Sequence, residues 1–248
     1  MKIIIDNIEC EAQKDETLLQ IARRNDIHIP TLCHNDALPG LGSCRLCVVE
    51  IVDKGRRSVV ASCIYPVRNE IEVYTCSDKI KNIRRNLLML LRGRVPNDET
   101  IKKLCKEYLV PDRIKFSGDK DEHCILCGLC VKACQELGAS AISTVNRGIT
   151  KKVTTPYDEP SAQCIGCGSC AYVCPTDAIK IEEKDGIRNI WNKEFQLLRC
   201  TRCGKPFATK EQLEYNREKL GEAHVKLLCE SCKKAIIAEK LKDIYEKV

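Results

Sequence analysis

Cys124-Ile-Leu-Cys127-Gly-Leu-Cys130-Val-Lys-Ala-Cys134 and Cys164-Ile-Gly-Cys167-Gly-Ser-Cys170-Ala-Tyr-Val-Cys174-Pro175 are one pattern written twice, 40 residues apart. Each block reads C-x2-C-x2-C-x3-C. That spacing wraps three thiolates around one [4Fe–4S] cubane in a tight loop and sends the fourth cysteine to the other cubane. The expected ligand sets are therefore Cys124, Cys127, Cys130 and Cys174 for one cluster, and Cys164, Cys167, Cys170 and Cys134 for the other. Gly128, Gly166 and Gly168 let the backbone come close and offer N–H groups to sulfide. The repeat runs on through Ile142 and Ile179 and places this unit at residues 113–185.

Upstream stands a second cysteine group, Cys33-x10-Cys44-x2-Cys47-x15-Cys63. A close pair with two distant cysteines is the layout of a [2Fe–2S] site, although it departs from the plant-type C-x4-C-x2-C spacing. The surrounding residues 1–78 read as strands and one helix. Lys2–Ile5 and Ile8–Ala12 form a hairpin about Asp6-Asn7. Thr17–Asn25 forms a helix capped by Asp15, with Leu18, Leu19, Ile21 and Ala22 inward and Pro30 closing it. Val48–Val52, Ser58–Ala61 and Glu70–Tyr74 complete a β-grasp sheet whose Gly-rich loop, Pro39–Ser43, holds ligands. Residues 79–112 read as a helical connector. Ile80, Ile83, Leu87, Leu90 and Leu91 lie on one helical face, Gly93 and Pro96 stop that helix, and a shorter helix covers Asp98–Leu109. The Lys79–Arg94 run reads as its solvated side.

Downstream, Cys200-x2-Cys203 and Cys229-x2-Cys232 form two knuckles 25 residues apart. Four tetrahedral thiolates suit structural zinc; a third [4Fe–4S] cluster needs the same four ligands. Residues 186–248 are expected to be a zinc-ribbon-like docking unit closed by a helix from about Ala235. Cys10, Cys76 and Cys105 are left over and read as small buried hydrophobes. His34 reads as a surface or supporting residue, and His224 as no ligand. The fold class is α+β throughout.

Composition agrees with metal staples. The 248 residues contain 19 cysteines but only 4% aromatics, so small thin-cored modules need such support. An odd count, the dense C-x2-C grouping and an N-terminus without an apolar leader point to metal thiolates in a reducing cytoplasm, not to disulfides. No apolar run suits a membrane span. The formal charge of +6 counts cysteines as neutral; four thiolate-bound sites at about −2 each would carry the total to about −2. The basic balance is thus no argument for nucleic acid. No G-x-G-x-x-G or P-loop appears, so flavin or NAD on this chain is unsupported.

The cysteine repeat resembles the two-cluster ferredoxins. The long first gap in the N-terminal group resembles the N-terminal domain of the large iron–sulfur subunit of NADH dehydrogenase (complex I), a domain also found in NAD-linked and [FeFe] hydrogenases. The likeness continues through Cys124–Ser143, Arg147-Gly148 and Thr155-Pro156-Tyr157, covering about residues 1–185. In domain order the chain resembles the small iron–sulfur subunit of the diaphorase half of bidirectional hydrogenases. The resemblance implies an electron wire between a flavoprotein that handles NAD(P)H and a large catalytic subunit (hydrogenase, formate or aldehyde oxidoreductase type) in an anaerobic cytoplasm. A free multi-cluster carrier and a redox-sensing zinc-ribbon protein are the alternatives. One departure stands out. The family's cluster held by one histidine and three cysteines has no counterpart here, because Met89–Asp121 contains no histidine and only Cys105. Its absence leaves three possibilities: the remaining clusters sit closer together, the [2Fe–2S] domain moves, or electrons enter elsewhere.

Overall fold

The computed structural model describes residues 1–111, 118–221 and 227–245. The chain divides into two compact units: residues 1–133 with 173–178, and residues 134–172 with 179–248.

In the first unit, β1 (Lys2–Ile5) and β2 (Ile8–Glu11) form the expected hairpin. Asp6 and Asn7 both take left-handed backbone, with φ of 46° and 69°, which matches the twist a two-residue hairpin needs. Helix α1 (Leu18–Arg24) is shorter than the pattern implied and is capped differently. Thr17, not Asp15, is its N-cap, in a capping box with Gln20, and Asn25 ends it well before Pro30. Asp15 sits at φ 61°, two residues too early. Strands β3 (Val48–Asp53), β4 (Arg56–Ala61) and β5 (Glu72–Tyr74) complete a mixed sheet of order β2-β1-β5-β3-β4, in which β1 and β5 run parallel. Leu18, Leu19, Ile21 and Ala22 bury one face of α1 against Ile3, Ile5, Val49 and Val73. Each large aliphatic side chain so buried contributes about 1.5–3 kcal/mol.

Helix α2 (Asp78–Arg94) is capped by Ser77 and runs through Gly93 to Val95. Gly93 therefore lies inside the helix instead of stopping it. The buried face is Ile80, Arg84 and Leu88, while Leu90 is exposed. The Lys79–Arg94 run is thus not wholly a solvated side. Arg84 is 2% exposed. Its guanidinium donates to the carbonyls of Leu46 (2.9 Å) and Val48 (2.8 Å) and to the Tyr108 hydroxyl (3.3 Å). Helix α3 (Glu99–Glu107), capped by Asp98, packs on α2. Helix α4 (Leu129–Glu136) carries Cys130 and, four residues on, Cys134.

The second unit contains the short hairpin β6 (Ser143–Val145) and β7 (Lys152–Thr154), then α5 (Ser169–Tyr172). It continues into an antiparallel sheet of β8 (Glu182–Lys184), β9 (Ile187–Ile190), β10 (Lys193–Arg199) and β11 (Pro206–Thr209), in that spatial order. Helices α6 (Lys210–Leu220) and α7 (Glu230–Tyr245) follow. Helix α7 starts five residues before the expected Ala235, so Cys232 sits in its first turn. His224 lies outside the described residues. No described helix is long and apolar enough to cross a membrane.

Candidate metal centres

Four cysteine groups were expected, and each has its own geometry. In the first, the loop before β3 and the turn after β4 bring Cys33, Cys44, Cys47 and Cys63 together as two close pairs. The Cys47 and Cys63 sulfurs are 3.3 Å apart, and the Cys44 N–H donates to the Cys33 sulfur at 3.2 Å. Two thiolates on one tetrahedral metal at about 2.3 Å stand roughly 3.8 Å apart. The Cys47–Cys63 pair is close to that spacing, as two ligands on one iron would be. The Cys33 thiol bonds to Cys44 and holds its pKa down at about 6, and Cys63 does the same for Cys47, to about 7. His34, beside Cys33, is half-buried, with its side chain 8% exposed: its Nε2 is 3.1 Å from Asp36 Oδ1, and its Nδ1 has no hydrogen-bond partner.

In the same unit, Cys124, Cys127, Cys130 and Cys174 line the second group, with Cys174 brought in on residues 173–178. Backbone N–H groups point at the sulfurs. Leu126 donates to Cys124 at 3.4 Å and Ala178 to Cys174 at 3.3 Å. Burial raises the Cys127 thiol to about 11. A thiolate there needs a positive partner, which bound iron would supply. Cys44 and Cys127 also line one cavity of about 280 Å³, together with Leu87, Leu91, Ile125 and Leu126. Cys105 is buried against this core and spends its thiol on the Leu88 carbonyl at 3.7 Å. Cys10 is buried as expected, whereas Cys76 is exposed.

The second unit holds Cys134, Cys164, Cys167 and Cys170. The Ala141 N–H donates to the Cys134 sulfur at 3.2 Å. Gly166 stands at φ 65°, and a Cβ there would lie 2.7 Å from the Phe195 ring. Only glycine lets β10 cover this loop so closely. Accordingly, Gly166→Ala is expected to lower the occupancy of this site by at least half, read as iron per chain after anaerobic reconstitution. Full occupancy would show that the loop tolerates displacement of β10.

The fourth group is the tightest. The sulfurs of Cys200, Cys203, Cys229 and Cys232 all lie within 4.8 Å of one another, with Cys203 and Cys229 at 3.7 Å. Among the described residues no other group closes to single-ion size. A cubane, four irons wide, holds its thiolates farther apart. Backbone N–H donation, foremost from Cys229, pulls the Cys200 thiol down to about 6. Among the described residues apolar support is thin here, with Phe207 and Leu228 packed against the cysteines. Sequence reasoning missed Trp191, whose indole N–H reaches the Cys170 sulfur, because a single aromatic in a strand turn belongs to no motif.

Comparison with known proteins matches the regions that carry the first three groups; Cys229 and Cys232 lie outside the family matches. Residues 1–78 match the 2Fe-2S iron-sulfur cluster binding domain. Residues 119–181 match one 4Fe-4S dicluster domain model and 163–209 another. The chain is 31% identical over 205 residues to one of the NADH-quinone oxidoreductase subunits of Rhizobium meliloti, a match covering 72% of this chain and 24% of that one. It is 31% identical over 211 residues to a subunit of the NADP-reducing hydrogenase of Solidesulfovibrio fructosivorans, covering 72% and 36%. It is 32% identical over 203 residues to the alpha subunit of the NADPH-Fe(3+) oxidoreductase of Geobacter sulfurreducens, covering 72% and 24%. The chain thus spans between a quarter and somewhat over a third of these relatives. A chain in the crystal structure of NAD+-reducing [NiFe]-hydrogenase in the H2-reduced state superposes with a TM-score of 0.59 at 26% identity, covering 71% of this chain and 85% of that one.

Proposed function

We propose that this chain, an α+β protein homologous to the iron–sulfur N-terminal region of an NADH-quinone oxidoreductase subunit and to subunits of NAD(P)-linked hydrogenases, relays single electrons between larger redox proteins. The observation that carries this reading is the shared cavity between Cys44 and Cys127. Electrons tunnel only across short gaps, and these two cysteines belong to successive candidate sites in one compact unit. Of the three routes left open by the missing histidine-ligated cluster, this favours clusters that sit closer together.

Bound [2Fe–2S] and [4Fe–4S] clusters would supply the one-electron chemistry. The residues do the rest. Cys33, Cys44, Cys47 and Cys63 hold the two-iron site; Cys124, Cys127, Cys130 and Cys174 hold one cubane; Cys134, Cys164, Cys167 and Cys170 hold the other. Leu87, Leu91, Ile125 and Leu126 line the space between Cys44 and Cys127 and hold the two loops side by side. Backbone N–H groups at Cys33, Cys124, Cys134 and Cys174 stabilise thiolate charge. Cys200, Cys203, Cys229 and Cys232 hold zinc, an ion without redox chemistry, which shapes a docking unit. The relatives named above are subunits of larger oxidoreductases, which supports a flavoprotein that handles NAD(P)H on one side and a catalytic redox subunit on the other.

The test is elemental and spectroscopic. Anaerobically prepared full-length chain should contain about ten iron atoms and about one zinc, with one [2Fe–2S] and two [4Fe–4S] signals on reductive titration. About fourteen iron atoms without zinc would overturn the zinc assignment. Fewer than three cluster signals in an iron-replete sample would overturn the relay.

A further inference from the structure

Trp191 is the only tryptophan in the chain, and its indole N–H donates to the sulfur of Cys170 at 3.5 Å. It occupies the tip of the β9–β10 hairpin, where Trp191 and Asn192 both have left-handed backbone, with φ of 54° and 58°. Glycine would fit that turn more cheaply, since a bulky residue at positive φ is a genuine outlier. The side chain, not the turn, accounts for its presence.

Two other residues of the same hairpin grip the same loop. Arg188 donates to the Gly166 carbonyl at 2.7 Å, but its charge is matched by Glu183 at 2.7 Å. Lys193 donates to the carbonyls of Ser161 (3.0 Å) and Cys164 (2.8 Å) and lies over the Phe195 ring. It has no carboxylate partner among the described residues. One N–H bond on a ligand sulfur and one uncompensated cation therefore face the Cys164–Cys170 loop. Both interact more strongly with the more negative, reduced state of an iron–sulfur site. Hydrogen bonds to sulfur and local charge are among the quantities that set such potentials.

From this geometry we infer that the β9–β10 hairpin is a potential-setting clamp, in which Trp191 and Lys193 raise the reduction potential of the cluster held by Cys134, Cys164, Cys167 and Cys170. The inference rests on the reading that these four cysteines hold a [4Fe–4S] cluster. Trp191 and Lys193 are positioning residues: they act through the ligand sulfur and the loop carbonyls.

An EPR-monitored potentiometric titration of the anaerobic, iron-replete full chain tests this. In Trp191→Phe the equilibrium constant for reducing one [4Fe–4S] cluster should fall about tenfold, which is about 59 mV for a one-electron couple. The other two couples should stay in place. Lys193→Met should move the same couple in the same direction. If Trp191→Phe loses its iron, Lys193→Met decides by the same criterion. Iron-replete variants with all couples unmoved would overturn the clamp and leave the cluster assignment standing. A wild-type chain without a second [4Fe–4S] signal would remove the site itself.

Discussion

On the reading that Cys200, Cys203, Cys229 and Cys232 hold zinc, Cys229→Ser is expected to release that ion and to unfold α7 locally, while iron content stays at the wild-type level. The effect should be large because little else holds that region. The four sulfurs form the centre, among the described residues only Phe207 and Leu228 pack against them as apolar support, and α7 is anchored through Cys229 and Cys232 at its start. Structural zinc contributes about 10–16 kcal/mol in small thiolate modules at neutral pH. Surface pairs such as Arg202–Glu239 at 2.6 Å contribute about 0–1 kcal/mol each and cannot replace it. Zinc per chain should drop to near zero, and hydrogen exchange along α7 should lose protection. Retained protection with zinc gone would mean that packing, not metal, holds this unit.

The second large effect is expected at Arg84. This buried guanidinium ties α2 to the backbone on both sides of Cys47, through the carbonyls of Leu46 and Val48. Arg84→Met keeps most of the volume but leaves two buried carbonyls without those donors. At about 1–3 kcal/mol for each of the two buried carbonyls left unsatisfied, the loss is about 2–6 kcal/mol. Small-domain urea slopes are about 1–3 kcal/mol/M. The urea midpoint for loss of the [2Fe–2S] visible absorption should therefore fall by about 1 M or more. Arg84→Lys should recover only part of this, since one ammonium cannot reproduce the planar fork. An unchanged midpoint in Arg84→Met would show that the grip on Leu46 and Val48 is dispensable.

Much of the N-terminal architecture was legible because its signals are local. Asp6-Asn7 between two apolar runs gives a hairpin, and Leu18, Leu19, Ile21 and Ala22 give an inward helix face. The errors there have simple causes. Thr17 outcompetes Asp15 as cap because Gln20 completes a reciprocal box with it. Gly93 stays helical because the stop comes from Pro96, which moves the preceding Val95 out of helical backbone, to φ −124° and ψ 73°. Arg84 was read as solvated because charge alone does not show that three acceptors wait inside. The second unit was less legible. The β8 segment Glu182–Lys184 is charged and wholly exposed, so no alternation marks it as a strand. The β9–β10 turn uses Trp191-Asn192 where a hairpin signal would show glycine.

The candidate sites divide along the same line. Cysteine spacing brought the groups to notice, because loop-borne ligands are close in sequence. What spacing could not supply was scale. The cavity shared by Cys44 and Cys127 depends on α2 packing beside both loops, a long-range consequence of Ile80, Arg84 and Leu88. The single-ion size of the Cys200 group likewise depends on α7 starting at Glu230, early enough to carry Cys232 inward.

The most direct test of the relay is anaerobic purification of the native protein from its own cells, at moderate salt, with identification of every chain that accompanies it. The relay predicts a flavoprotein and a larger catalytic redox subunit in fixed ratio to this chain, with NAD(P)H reducing its clusters in that preparation. A chain that purifies alone, with clusters that NAD(P)H does not reduce when the fractions are recombined, would contradict it.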